Sequence, residues 1–279
     1  MIVNLAKSAG FCFGVKRAIE IALKTASSGE KVYMLGDIVH NEDVVRRIEE
    51  AGLKKISRLG NGGGKALLIR AHGSSQKILT KAIKSGYKIF DATCPMVKEI
   101  HRIAREMEKK GCVVIIIGDR NHDEVRGIAG QLKQKAIVID NIKDIPLIKI
   151  KKVKKACVVV QSTQNIDKVL KILDCIKPLV KDLKFFNTIC KPTRLKQNEL
   201  KTLPLKNDVM IVIGSKHSAN TKRLYEISRS LNERTYWVNS KQEIRRTWFK
   251  GAKKTGVTAG ASTPDKTTQE IITRIKELT

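Results

Sequence analysis

The residues of this 279-residue chain best suited to chemistry are six cysteines and five histidines, and their settings separate them into classes. Cys112, Cys157 and Cys175 lie in the apolar runs "CVVIII", "ACVVV" and "VLKILDCIKPL" and read as small core hydrophobes. Cys12, Cys94 and Cys190 stand instead at strand-to-helix junctions, where the ends of parallel strands gather ligands and a helix N-terminus favours an anion. "FDATC" (90–94) and "FNTIC" (186–190) repeat one pattern 96 positions apart, and Cys12 precedes Cys94 by a similar 82. Three thiolates, one per repeat, suggest a shared metal site. Zinc is one reading, although structural zinc prefers four protein ligands and short Cys-x-x-Cys pairs, which are absent. An iron–sulfur cluster held by three cysteines is another, leaving one iron open to act as a Lewis acid on a substrate oxygen. Three unrelated thiols is the third.

The histidines sharpen the pattern. His40 ends "GDIVHN", His72 sits in "IRAHGSS" and His122 in "GDRNHDE", each after a strand-like run. His101 falls within a helical pattern and reads as structural, while His217 is left without a role. Small hydroxyl and amide residues surround these loops: Ser74, Ser75, Ser162, Thr163, Ser218, Asn220, Ser262 and Thr263. Any one of them is adequately explained as a helix N-cap. Together, side-chain donors and helix N-termini make a cradle for a phosphate or diphosphate without a P-loop. Glu124, two residues after His122, is a candidate proton carrier or an ordinary first-turn acid.

These residues need a scaffold, and the chain supplies an α/β one. Apolar runs such as "CVVIIIG", "KACVVVQS" and "DVMIVIG" alternate with amphipathic patterns such as "PMVKEIHRIAREMEKKG", which predicts parallel sheets with helical crossovers. The repeat of the cysteine junctions divides the chain into three small α/β units over 13–94, 95–190 and 191–279, with the N-terminal strand in 1–12 a candidate to pack with the third. No long Gly/Ser/Pro linker separates them.

Composition bounds the function. No apolar run reaches the roughly 20 residues needed to cross a bilayer, and no secretory signal opens the chain, so a cytosolic protein with reduced thiols and no membrane partner is expected. Lys and Arg number 55 against 27 Asp and Glu, a net charge of +28 that favours anionic partners. The cations are spread along the chain, which reads first as a solvated lysine-rich surface. Nucleic-acid binding is a runner-up, weakened by 4% aromatic content and by the lack of zinc-finger, RNP or KH patterns. A Cys/His metal-dependent hydrolase acting on a phosphate ligand is a second alternative.

The motifs "GFCFGVKRAI", "DIVHN", "RAHG", "DATCP", "NHDEVRGIAGQ", "STQ", "NTIC", "GSKHSANTKRL" and "TAGASTP" resemble, in order and spacing over essentially the whole chain, those of the LytB/IspH family of 4-hydroxy-3-methylbut-2-enyl diphosphate reductases. The resemblance implies a three-lobed, trefoil-like, pseudo-three-fold α/β fold around a central iron–sulfur cluster cavity. It also implies reductive removal of the substrate's allylic hydroxyl with two electrons and two protons, yielding isopentenyl and dimethylallyl diphosphate in the last step of the methylerythritol phosphate route. Carried over residue by residue, it makes Cys12, Cys94 and Cys190 the ligands of one 4Fe-4S cluster per chain with an open iron. It assigns the diphosphate to His40, His72, His122, Ser218, Ala219, Asn220 and Ser262, and places Thr163 and Glu124 beside the hydroxyl, with Glu124 central to proton delivery. An acidic electron donor, ferredoxin or flavodoxin, would be drawn to the basic surface.

Three departures bear on affinity more than on reaction class. Ala219 stands where the family pattern has a serine, Asp123 where a proline is usual, and Lys196 where an arginine is expected. Some family members carry an appended S1-type RNA-binding region; with "TAGASTP" followed only by one helical pattern, none is expected here.

Overall fold

In a computed structural model, which describes residues 1–279, twelve strands and ten α-helices alternate along the chain. β1 (Ile2–Leu5) and α1 (Phe13–Ala26) come first. They are followed by β2 (Val32–Leu35), α2 (Glu42–Glu50), β3 (Lys54–Ile56), β4 (Ala66–Ile69), α3 (Gln76–Lys84), β5 (Lys88–Asp91) and α4 (Pro95–Lys109). The middle of the chain forms β6 (Val113–Ile117), α5 (Asp123–Ala129), β7 (Ile137–Ile139), α6 (Leu147–Lys151), β8 (Lys155–Val160), α7 (Ile166–Ile176), β9 (Asp182–Phe185) and α8 (Lys191–Glu199). β10 (Val209–Ile213), α9 (Ala219–Leu231), β11 (Thr235–Val238), β12 (Lys254–Ala259) and α10 (Asp265–Leu278) complete it. No helix is long and apolar enough to cross a membrane.

The strands form three four-stranded sheets, ordered β3-β2-β4-β5, β7-β6-β8-β9 and β1-β12-β10-β11, and every pairing is parallel. In the first two sheets the order is second, first, third, fourth in chain sequence. The last sheet has the same order if β1 is counted as its fourth strand: it pairs with β12 from Ile2 against Lys254 to Leu5 against Val257.

The apolar runs of the sequence are the central strands. Along β6, Ile115 and Ile117 join Val158, Val160, Ile172 and Ile176 on one face, while Val114 and Ile116 join Ile100, Ala104, Cys157 and Val159 on the other. A strand covered by helices on both faces has no polar side, so its sequence shows no alternation. The fourth strands β1, β5 and β9 are sheet edges and only partly buried. β3 is a polar three-residue edge, "KKI", that apolar patterning does not reveal. Cys112 and Cys157 are buried as expected, but Cys175 is exposed. On α7 the core face is taken by Val169, Ile172, Leu173 and Ile176 at helical spacing, and Cys175 falls on the outward side.

By density of contacts the chain divides into two compact units. One comprises Arg17–Ile38 and Ile48–Cys190 and holds the β2–β5 and β6–β9 sheets. The other comprises Met1–Lys16, Val39–Arg47 and Lys191–Thr279 and holds the sheet completed by β1.

Candidate active site and metal centre

The chemistry-bearing residues occupy equivalent places in the three sheets. The fifth residue after the first strand of each sheet is His40, His122 or Ser218, and the seventh is Glu42, Glu124 or Asn220. The third residue after the third strand is His72, Thr163 or Ser262. The fourth strands lead to Cys94, Cys190 and Cys12. Each of these cysteines donates its backbone N–H to the second residue beyond the neighbouring third strand: Cys94 to Ala71 O at 3.0 Å, Cys190 to Ser162 O at 3.0 Å, and Cys12 to Ala261 O at 3.1 Å. All twelve positions lie beyond the carboxyl ends of parallel strands, where open α/β sheets bind ligands. None of the six cysteines is in a disulfide; Cys12, Cys94 and Cys190 are partly accessible, and each directly precedes a helix. Thiols so placed could hold a thiophilic metal or cluster.

In the unit that holds Cys94 and Cys190, Glu124 is buried at 2% exposure. Ser162 donates to it twice, from the backbone N–H to Oε1 at 2.6 Å and from the hydroxyl to Oε2 at 2.7 Å. Burial pushes the Glu124 carboxyl up, and these two hydrogen bonds, which favour the anion, only partly offset the rise. The result is a carboxyl that keeps its proton to higher pH than one in water. His122 caps α5, its Nδ1 accepting the Glu124 N–H at 3.1 Å. An accepting Nδ1 in a neutral imidazole leaves the proton on Nε2, which becomes a donor suited to an anion. The His72 ring meets the His122 ring edge to face, with centroids 5.4 Å apart. Gly73, at φ +75°, makes room for the buried His101, whose Cε1 would lie 2.8 Å from a Cβ there. Thr163 accepts a hydrogen bond from Gln161 at 3.2 Å.

The cysteine arms are braced as well. Thr188 Oγ1 accepts the Val160 N–H at 2.8 Å and donates to Val160 O, fixing the approach to Cys190 to the end of β8. Arg17 donates to Thr93 O at 3.1 Å, next to Cys94.

In the other unit, Ser218 caps α9 by accepting the Thr221 N–H at 3.2 Å, a bond that uses an oxygen lone pair and not the hydroxyl's own proton. Ala219 opens that helix, where backbone N–H groups have no intrahelical acceptor. Asn220 is only 5% exposed, and neither its Nδ2 nor its Oδ1 has a hydrogen-bond partner. Buried amides are seldom left so, and a polar ligand with both donor and acceptor capacity would satisfy it. Ser262 donates to His40 O at 3.0 Å, which brings the His40 segment onto this sheet. Glu42 reinforces that contact by accepting from Ser215 Oγ at 2.7 Å and Asn239 Nδ2 at 3.3 Å. Burial would raise the Glu42 carboxyl, but these bonds outweigh it and hold the group below the ordinary carboxylate range.

Lys196 is a structural element in its own right. It is 2% exposed, and its ammonium donates to Ser8 O, to Gly10 O at 2.9 Å and to Ala259 O at 3.1 Å. Glu199, one helical turn on, accepts from the Ser8 N–H at 3.0 Å. The loop carrying Cys12 is thus clamped to α8 and to the end of β12.

Sequence reading named Ser162, Thr163 and Lys196 but did not see Ser162 as the partner of Glu124, Lys196 as a clamp, or Glu42 and Thr188 as braces. The one available signal was the shared offset of Glu42, Glu124 and Asn220 from a strand-ending glycine in "GDIVHNE", "GDRNHDE" and "GSKHSAN".

The LytB protein family matches residues 3–276. The 4-hydroxy-3-methylbut-2-enyl diphosphate reductase of Geobacter metallireducens is 40% identical over 279 residues, 100% of this chain and 98% of that protein. Its counterpart in Aquifex aeolicus is 39% identical over 280 residues, 99% and 96%. Among solved structures, the Plasmodium falciparum E-1-hydroxy-2-methyl-but-2-enyl-4-diphosphate reductase shares the fold at TM-score 0.90 and 30% identity, covering 98% of this chain and 87% of that one. A second, described as (E)-4-hydroxy-3-methyl-but-2-enyl diphosphate reductase, the terminal enzyme of the non-mevalonate pathway, matches at TM-score 0.72 and 38% identity over 99% and 100%. With the family match spanning residues 3–276 and relatives about 40% identical over the full length, this protein belongs to the LytB family.

Proposed function

We infer that this chain is a reductase that converts 4-hydroxy-3-methylbut-2-enyl diphosphate into isopentenyl and dimethylallyl diphosphate, the terminal step of the non-mevalonate route to isoprenoids. The relatives supply the substrate class. The observation that carries the chemistry is the buried Glu124, its carboxyl pushed up by burial and gripped by Ser162, next to His122, whose Nδ1 accepts the Glu124 N–H.

Cys12, Cys94 and Cys190 would hold a 4Fe-4S cluster, one per chain. The donor set fits: three partly accessible thiols in equivalent junctions, with no fourth cysteine in such a position to close a structural zinc site. When bound, the cluster would supply single electrons and a Lewis-acidic iron. The protein's residues do the rest. His72, His122, His40, Ser218, Asn220, Ser262 and the N–H of Ala219 would bind and orient the diphosphate, the buried Asn220 amide finding there the partner it lacks. The net reaction takes two electrons and two protons: the C–O bond breaks, one proton leaves with the hydroxyl as water, and the electron pair and the other proton form a new C–H bond on the allyl fragment. Glu124 would deliver a proton to that leaving oxygen, held in place by Ser162 and with Thr163 beside it. An acidic one-electron protein, ferredoxin or flavodoxin, would supply the electrons, guided by the +28 surface.

The test is Glu124→Gln. Glutamine keeps the acceptor for the Ser162 N–H and can bond its hydroxyl, but cannot give up a proton at neutral pH. Turnover with reduced viologen should fall about a hundredfold or more, while iron content and affinity for inorganic diphosphate stay within about twofold. A variant as active as the parent would remove Glu124 from the chemistry.

A further inference from the structure

Two loops that carry anion-binding histidines come from different sheets, and a salt bridge spans them. Arg70 is the first residue after β4, two before His72, and Asp123 is the residue after His122, opening α5 directly ahead of Glu124. Arg70 Nη1 lies 2.7 Å from Asp123 Oδ2, and both side chains are only 23% exposed. The guanidinium reaches there past Gly36, whose φ is +77° and where a Cβ would stand 2.7 Å from Nη1. The opposite end of α5 is tied to the same loop by Gln131 Nε2 to Ser74 O at 2.7 Å and by the Gln76 N–H to Gly130 O at 3.0 Å. The Arg70–Asp123 pair ties the histidine end, where the His72 and His122 rings also meet edge to face.

We propose that Arg70 and Asp123 are positioning residues for diphosphate recognition, an ion pair that holds the His72 and His122 loops at the spacing an anion needs. The proposal rests on the reading of those histidines as diphosphate contacts. It also accounts for Asp123 standing where the family resemblance leads one to expect proline. A proline at the first helical position fixes the entry to α5 by its own ring, whereas here an ion pair to the neighbouring loop does so.

Placing a carboxylate beside an anion site has an electrostatic cost, and that gives the test a decisive sign. Were the pair without a positioning role, Asp123→Asn would remove a negative charge, release the Arg70 cation and tighten anion binding. With the positioning role, the same change weakens binding although the site has become more positive. The probe is inorganic diphosphate, titrated calorimetrically into the full-length protein, alongside KM and kcat with the allylic diphosphate and reduced viologen. Asp123→Asn is expected to weaken diphosphate binding and raise KM by about threefold to tenfold, with kcat within about twofold. The exchange Arg70→Asp with Asp123→Arg keeps net charge and should recover affinity to within about twofold. Asp123→Pro, which restores a fixed helix entry, should lose less than Asp123→Asn. Diphosphate bound as tightly or more tightly by Asp123→Asn, or an exchanged pair no better than the single variants, would overturn the proposal. A parent protein that binds no diphosphate would overturn it together with the assignment of His72 and His122.

Discussion

Replacing Lys196 by methionine keeps the length and much of the volume of the side chain while removing the ammonium that Ser8, Gly10 and Ala259 share. At 2% exposure no water stands ready to replace it. Each buried carbonyl left without its donor costs about 1–3 kcal/mol, which for three sums to several kcal/mol. Against this stands the relief of no longer desolvating a cation, itself several kcal/mol. The expected net loss is about 1–3 kcal/mol of unfolding free energy, what remains of the unmet carbonyls once the relief of the buried cation is taken off. Equilibrium urea unfolding of the metal-free protein measures it. The loss should also be local, because the carbonyls of Ser8 and Gly10 belong to the loop that ends at Cys12. The Cys12 thiol should therefore react faster with an aromatic disulfide reagent, while Cys94, held by Ala71 O and the Arg17 contact, reacts at the parent rate. Lys196→Arg, with several donors on one planar head, should retain most of the stability. A Lys196→Met loss below about 0.5 kcal/mol with unchanged Cys12 reactivity would refute the clamp.

Other consequences follow from single observations. Asn220→Ala should raise the KM for the diphosphate substrate at least about tenfold, yet change the unfolding free energy of the ligand-free protein by under about 1 kcal/mol, since the lost amide makes no hydrogen bond; a large loss of stability with unchanged KM would contradict it. His101 is pushed down from 6.5 to about 4, first by burial and then by Arg105, so as pH falls the unfolded chain takes the proton before the folded one. Its contribution is complete above about 6.5 and is lost on the way to 4, at most about 3 kcal/mol; His101→Gln should flatten the pH dependence of stability in that window. Turnover driven by an acidic protein donor should fall with ionic strength more steeply than turnover driven by a dye, as expected of a +28 chain, and equal salt dependence would remove charge steering.

How much of this was legible in the sequence depended on the range of the interactions. The central strands β6, β8 and β10 show as unbroken Val/Ile runs because helices cover both faces, whereas the polar edge β3 has no apolar signature. "FDATC" and "FNTIC" expose Cys94 and Cys190 as equivalents because strand, turn and thiol are contiguous. Cys12 shares no such motif, and its equivalence is seen in the pairing of β1 with β12 and in its N–H bond to Ala261, 249 positions away. Distance along the chain hid the partners too: Ser162 is 38 positions from Glu124, Asp123 is 53 from Arg70, and Ser8 is 188 from Lys196. Cys175 was misjudged because composition says that a helix is apolar, while only the phase of Ile172, Leu173 and Ile176 says which side is.

The reductase and its cluster are tested together by iron and acid-labile sulfide per chain in protein purified without oxygen, followed in the same sample by oxidation of reduced viologen on adding 4-hydroxy-3-methylbut-2-enyl diphosphate. About four irons and four sulfides per chain are expected, lost on replacing Cys12, Cys94 or Cys190 by serine but not Cys112, with oxidation that starts only with substrate. Zinc in place of iron, or an iron-loaded protein that leaves the dye reduced when substrate is added, would contradict that expectation.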